Sequence, residues 1–94
     1  MEKENIHQQT EPVKKQQLYK EDRFQVMQLS LKTGAELKPH TSPTDAFLLV
    51  LEGKLLFFIH DKEHHLKKGD TFTFKAGEQH AVQALTDVSF LLIK

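Results

Sequence analysis

The chain contains no cysteine, which excludes disulfides, thiolate metal sites and a cysteine nucleophile and leaves the redox compartment open. It also has no surplus of charge. Thirteen basic and thirteen acidic side chains cancel, and no block of like charge is long enough to form a tail, so nothing calls for a nucleic-acid backbone or an anionic membrane. No apolar run is long enough to span a bilayer, and the opening "MEKENIHQQTEPVKKQQ" lacks the apolar centre of a signal peptide. With 94 residues there is room for one domain and one modest core. Internal repeats and low-complexity segments are missing as well. These absences predict a soluble, cytoplasmic domain with no nucleic-acid or membrane partner.

The segments that remain are short and strand-like. Residues 1 to about 17 are polar, rich in glutamine and poor in aliphatics, too little apolar surface to offset their ordering entropy. They read as a loose arm, taken here as 1–23, with pairing onto a neighbouring subunit as the alternative. From Phe24 the pattern changes. In "VMQLSLK" Met27, Leu29 and Leu31 alternate with polar residues, the period of a half-buried strand. "AFLLVLE" and "KLLFFIH" are apolar on both faces, so both sides of those strands should be covered. "HDKE" is a polar hairpin turn, "TFTFK" sets Phe72 and Phe74 on one face, and "HAVQAL" and "VSFLLIK" close the chain as strands. No segment after residue 24 sustains a helical period. Short strands at this spacing predict an all-β sandwich or barrel over 24–94.

The chain's four glycines, Gly34, Gly53, Gly69 and Gly77, each fall between two strand candidates, where a turn needs positive φ or close backbone approach. With two histidines they resemble the cupin superfamily of small β-barrels. The first cupin motif, G-x5-H-x-H-x3,4-E-x6-G, fits at Gly34, His40 and Gly53. The second, G-x5-P-x-G-x2-H-x3-N, fits at Gly69, Gly77 and His80, with Lys75 in place of the proline and Ala84 in place of the asparagine. The resemblance implies an antiparallel jelly-roll barrel.

It also implies a metal site, and here the set is incomplete. Metal-binding cupins offer two histidines and a glutamate from the first motif and one histidine from the second. His40 and His80 are kept, Ser42 stands for the second histidine and Ala46 for the glutamate. The stretch H-x-S-P-x-D-A is similar to a branch of small cupins with a small residue before that proline. Asp45 is the candidate third ligand: with His40 and His80 it would give a 2-His-1-carboxylate set for one divalent metal such as iron, manganese, nickel or zinc. Asp45 lies one place before the glutamate position, however, and a one-residue shift along a strand turns a side chain to the other face. The alternative is that Asp45 caps a turn after Pro43 and Thr44, and that the two histidines are hydrogen-bonded polar groups at a barrel mouth.

Other histidines contribute less. His64 and His65 are adjacent in a strand and must face opposite sides, so one of them borders the interior, while His60 flanks a polar hairpin. Ser42 and His40 are two apart, but no glycine-framed elbow presents the serine as a nucleophile. The expected ligand cavity comprises His40, Ser42, Ala46, Leu48, Phe72, Phe74 and His80. Apolar surplus around "FLLVL" and "LLFFI" predicts an outer sheet face covered in a homodimer. Two functions stay open. The first is a module binding a small molecule in its barrel, with a reduced metal site. The second is a metal-dependent oxygenase or isomerase acting on a small organic substrate. A stand-alone relative of the ligand-sensing domains of transcription regulators is a third reading.

Overall fold

The computed structural model describes residues 6–94. After a single 3-10 turn at Ile6–Gln8, nine strands follow: β1 Val13–Lys20, β2 Gln25–Leu31, β3 Glu36–His40, β4 Ala46–Glu52, β5 Lys54–Ile59, β6 Lys62–Lys67, β7 Thr71–Phe74, β8 His80–Ala84 and β9 Val88–Ile93. They form a five-stranded sheet in the order β1-β2-β9-β4-β7 and a four-stranded sheet in the order β3-β8-β5-β6. Every pairing is antiparallel. Only β1–β2 and β5–β6 are hairpins within one sheet; each other connection carries the chain across to the opposite sheet. That alternation is the jelly roll, and it confirms the all-β antiparallel barrel expected from the sequence. Among the described residues no helix is long and apolar enough to cross a membrane.

The alternating strands bury one face as their period dictates. In β4, Ala46, Leu48 and Val50 are buried, whereas Phe47 is exposed. In β5, Leu55, Phe57 and Ile59 point inward. These meet Leu29 and Leu31 of β2, Val82 of β8 and Phe90 of β9 in one core between the sheets. Burial of this kind contributes about 1.5–3 kcal/mol per large side chain and fixes the strand register, because a slip of one residue would turn the whole inward set to solvent.

Two turns use the left-handed region. The β5–β6 hairpin closes on His60 and Asp61, with φ of 54° and 59°, the two positive values of a type I′ turn, whose twist matches that of the strands it joins. Gly53, between β4 and β5, has φ 83°. A Cβ there would fall on the Asp87 carbonyl oxygen and lie 2.9 Å from Thr86 Oγ1, so the position demands glycine twice over.

The arm is where the structure departs from the sequence reading. Val13–Lys20 is a full strand, paired with β2 of the same chain over its length apart from a bulge between Gln17 and Tyr19. The barrel domain therefore takes in a segment that had been assigned to the arm; residues 1–5 lie outside the described part. A polar sequence suffices because an edge strand buries little. Val13, Lys15 and Gln17 stand opposite Leu31, Leu29 and Met27, and long Lys and Gln stems cover apolar neighbours while their tips stay wet.

The apolar surplus of β4 and β5 divides between the two outer faces. Leu56 and Phe58 are half-buried on the outside of the four-stranded sheet, beside His65 and Glu63. On the five-stranded sheet Phe47 pairs with Ile93 and Leu49 with Leu91.

Candidate functional site

The crossing connections bring the two motif histidines together. His40 ends β3, His80 begins β8, and the two are direct partners across the β3–β8 ladder. Residues opposite one another in an antiparallel pair share a face, so both imidazoles stand on the same side. Their ring centroids are 4.3 Å apart, edge to face. His40 is exposed at the rim; His80 is buried. The His80 ring lies against Phe74 and Phe57, at centroid distances of 4.3 and 5.7 Å.

Both rings are held in the same way. The Nδ1 of His40 is 2.7 Å from the Lys38 carbonyl oxygen, and the Nδ1 of His80 is 3.0 Å from the Glu78 carbonyl oxygen. A carbonyl only accepts, so each Nδ1 carries a proton and donates it, and in the neutral ring Nε2 is left as the acceptor. Burial holds His80 below the usual histidine range against the raising effect of its Glu78 hydrogen bond, and its neighbours His40 and Lys94 add smaller lowering effects. Glu78 is itself fixed. Its carboxylate accepts from the Lys75 backbone N–H at 2.6 Å and contacts His60 Nε2. The Lys75 bond, followed by the His60 contact, keeps its carboxyl below the usual range despite some desolvation. This ties the β7–β8 loop to the β5–β6 hairpin.

Beside the histidines lies a cavity of about 130 Å3 between the sheets. Leu48, Phe57, Phe74 and Phe90 are among its walls, and Lys15 and Lys94 join His40 and His80 as its polar lining. Of the residues expected there, His40, Leu48, Phe74 and His80 do line it. Ser42, Ala46 and Phe72 do not. Ser42 is buried in the rim loop, its carbonyl accepting from Gly77 N–H at 2.9 Å. Ala46 is buried at the start of β4, and Phe72 packs between Phe57 and His64.

Asp45 does not join the histidines. It precedes β4, and its carboxylate accepts from the Ala76 backbone N–H at 2.9 Å and pairs with Lys75 Nζ at 3.6 Å, with two-thirds of the side chain exposed. The Ala76 hydrogen bond, aided by Lys75, draws its pKa down. Asp45 does not cap its own turn, where Ser42 Oγ accepts from Thr44 N–H at 3.4 Å; it caps the β7–β8 loop at Ala76 instead and is withdrawn from the ligand set. His64 is the inward member of its pair, opposite Phe57 and half-buried against Phe72, whereas His65 points out.

The site is thus two imidazoles, each anchored through Nδ1, in a cavity whose lining holds no carboxylate side chain among the described residues. Among the described residues no three His, Cys, Asp or Glu side chains gather. A catalytic metal needs about three protein ligands, and the charged groups that share this cavity are two lysines. These residues do not fit a resident divalent cation.

Sequence reasoning missed Lys15, Lys94 and Phe57. Lys94 was legible as the continuation of the inward positions Val88, Phe90 and Leu92 of β9. Lys15 alternates with Val13, but its strand was hidden in a polar segment.

Comparisons with known proteins agree with this architecture. The family described as Cupin domain matches residues 27–94, and the chain belongs to that family. No curated protein matches the sequence. A cupin superfamily protein from Desulfitobacterium hafniense superposes with a TM-score of 0.83 at 23% identity, over 87% of this chain and 75% of that one. A Cupin 2 conserved barrel domain protein from Leptotrichia buccalis gives 0.83 at 28% identity, over 90% of this chain and 41% of that one. KdgF from Halomonas sp. gives 0.80 at 19% identity, over 92% and 82%.

Proposed function

We propose that this cupin binds a small organic molecule in its barrel, without a resident catalytic metal. The observation that carries the reading is the cavity of about 130 Å3 with apolar walls and both anchored imidazoles on its lining. Apolar walls with a few convergent polar groups are the ordinary make-up of a ligand site. A cavity of about 150 Å3 accommodates a benzene-sized molecule, so the buried part of the ligand has about six heavy atoms. The metal-dependent oxygenase or isomerase would need a third donor; Asp45 is committed to Ala76 and Lys75, and the inward His64 packs on Phe72 and is absent from the cavity lining.

A fragment screen by protein NMR tests the reading. Ligands of this size should perturb resonances of Leu48, Phe74 and His80, and Leu48→Phe, which fills the cavity, should abolish those shifts. Hits confined to the outer surface, or unaffected by Leu48→Phe, would overturn it.

The same reading includes a homodimer through the outer face of the five-stranded sheet. Phe47, Leu49, Leu91 and Ile93 form its centre, flanked by uncharged Thr71, Thr73, Gln28 and Ser30. An apolar centre of this kind suits a self-complementary two-fold contact, with Lys14, opposite Ser30, and Glu52, opposite Ser89, towards its edges.

A further inference from the structure

The groups lining the cavity select a ligand by charge and by hydrogen-bond polarity, and the two requirements differ. Each imidazole spends its Nδ1 proton on a backbone carbonyl, of Lys38 for His40 and of Glu78 for His80. What each ring has left in its neutral form is an acceptor, Nε2, which asks the ligand for an O–H or N–H donor.

The charge requirement comes from Lys15 and Lys94, which enter the cavity lining from β1 and from the end of β9. Their placement follows from register. Lys15 is opposite the buried Leu29, so it shares the inner face. Lys94 follows Leu92 by two and exchanges both backbone hydrogen bonds with Gln25, at 2.7 and 3.0 Å. One step beyond the pair Phe47 and Ile93, the ladder sets Lys94 opposite Ala46. The position where the metal-binding pattern has a glutamate thus holds a methyl group, and one step along the ladder its cross-strand neighbour is a lysine. Lys94 is among the smaller influences that hold the His80 pKa down, after burial and His40. Among the described residues neither lysine has an ion-pair partner. Two cationic groups on the lining of a partly apolar cavity favour an anion there.

We propose that the ligand is a small hydroxycarboxylate: its carboxylate is held by the ammonium groups of Lys15 and Lys94, its hydroxyl donates to imidazole Nε2, and its short branched tail fills the space against Leu48, Phe57 and Phe90. The inference rests on the reading of the barrel as a small-molecule site and adds the chemical class. A simple carboxylic acid lacks the donor that the imidazoles require. A neutral hydroxylated molecule lacks the charge that the lysines require.

The test is isothermal titration calorimetry at neutral pH with three probes of nearly equal size, 2-hydroxyisovalerate, isovalerate and 2-hydroxyisovaleramide. The hydroxy acid should bind about tenfold or more tightly than either of the others, the increment of one charge-assisted hydrogen bond. In the double variant Lys15→Gln, Lys94→Gln the advantage of the hydroxy acid over the amide should vanish. Circular dichroism would confirm that the variant is folded. Equal or tighter binding of isovalerate or of the amide to the wild type overturns the proposal while leaving a small-molecule site intact. No binding by any of the three also overturns it, and the fragment screen then decides separately whether the cavity takes small molecules at all.

Discussion

The imidazoles of His40 and His80 meet edge to face at 4.3 Å, each with its Nδ1 pinned to the backbone carbonyl two residues earlier. The matching anchors give two rings from different strands the same tautomer, so the site's hydrogen-bonding character is set before any ligand arrives. Four consequences can be measured.

Asp45→Asn should leave ligand binding and metal content unchanged. The carboxylate faces Ala76 and Lys75 on the outside of the rim, and the change removes only a surface cap and an exposed ion pair of small worth. Mass spectrometry of metal content beside calorimetry is the check. A bound metal that disappears in the variant would return Asp45 to the interior.

Stability should fall as the medium is acidified through the histidine range. His80 is held below its ordinary pKa, first by burial, so the unfolded chain takes up this proton at a higher pH than the folded chain does. The folded state is therefore at full strength above about pH 6.5 and weakens below it. Tm measured between about pH 7 and 5.5, above most carboxylate titration, should drop in the wild type. It should drop less in His80→Phe, which keeps a ring against Phe57 and Phe74. Equal slopes would acquit His80.

Gly53→Ala should destabilise the barrel by about 2 kcal/mol or more, read from urea denaturation. The left-handed φ of 83° and the crowding by Asp87 and Thr86 act together. Gly69→Ala has positive φ but open space around its would-be Cβ, so it should cost about 1 kcal/mol. A larger loss at Gly69 than at Gly53 would contradict the steric account.

Leu49→Lys should leave the fold intact and give a monomer in light scattering. Leu49 sits on the outer face beside Leu91, where a charge would be desolvated in a dimer and tolerated in a free chain. A wild type that is already monomeric would refute the pairing.

The barrel was legible in the sequence because its determinants are local. Met27, Leu29 and Leu31 alternate, the four glycines fall in turns, and His40 and His80 lie in register with two motifs. What could not be read is set by contacts across the sheets. β1 is polar because an edge strand needs little burial, so Val13–Lys20 carries almost no apolar signal of its own. Asp45 could have pointed either way until the Ala76 N–H was placed beside it, thirty-one positions along.

The segment that resembles the family begins at residue 27, inside β2, whereas the sheet begins at Val13. A recombinant fragment cut to the recognisable region would strip β1 from its neighbour. The backbone N–H and C=O groups of β2 that had faced β1 would become a bare ledge, the kind of template on which chains add to one another. The same cut would remove Lys15. Such a fragment would lose both a strand of the sheet and part of the cavity lining, so a fragment of this protein is better cut upstream of Val13.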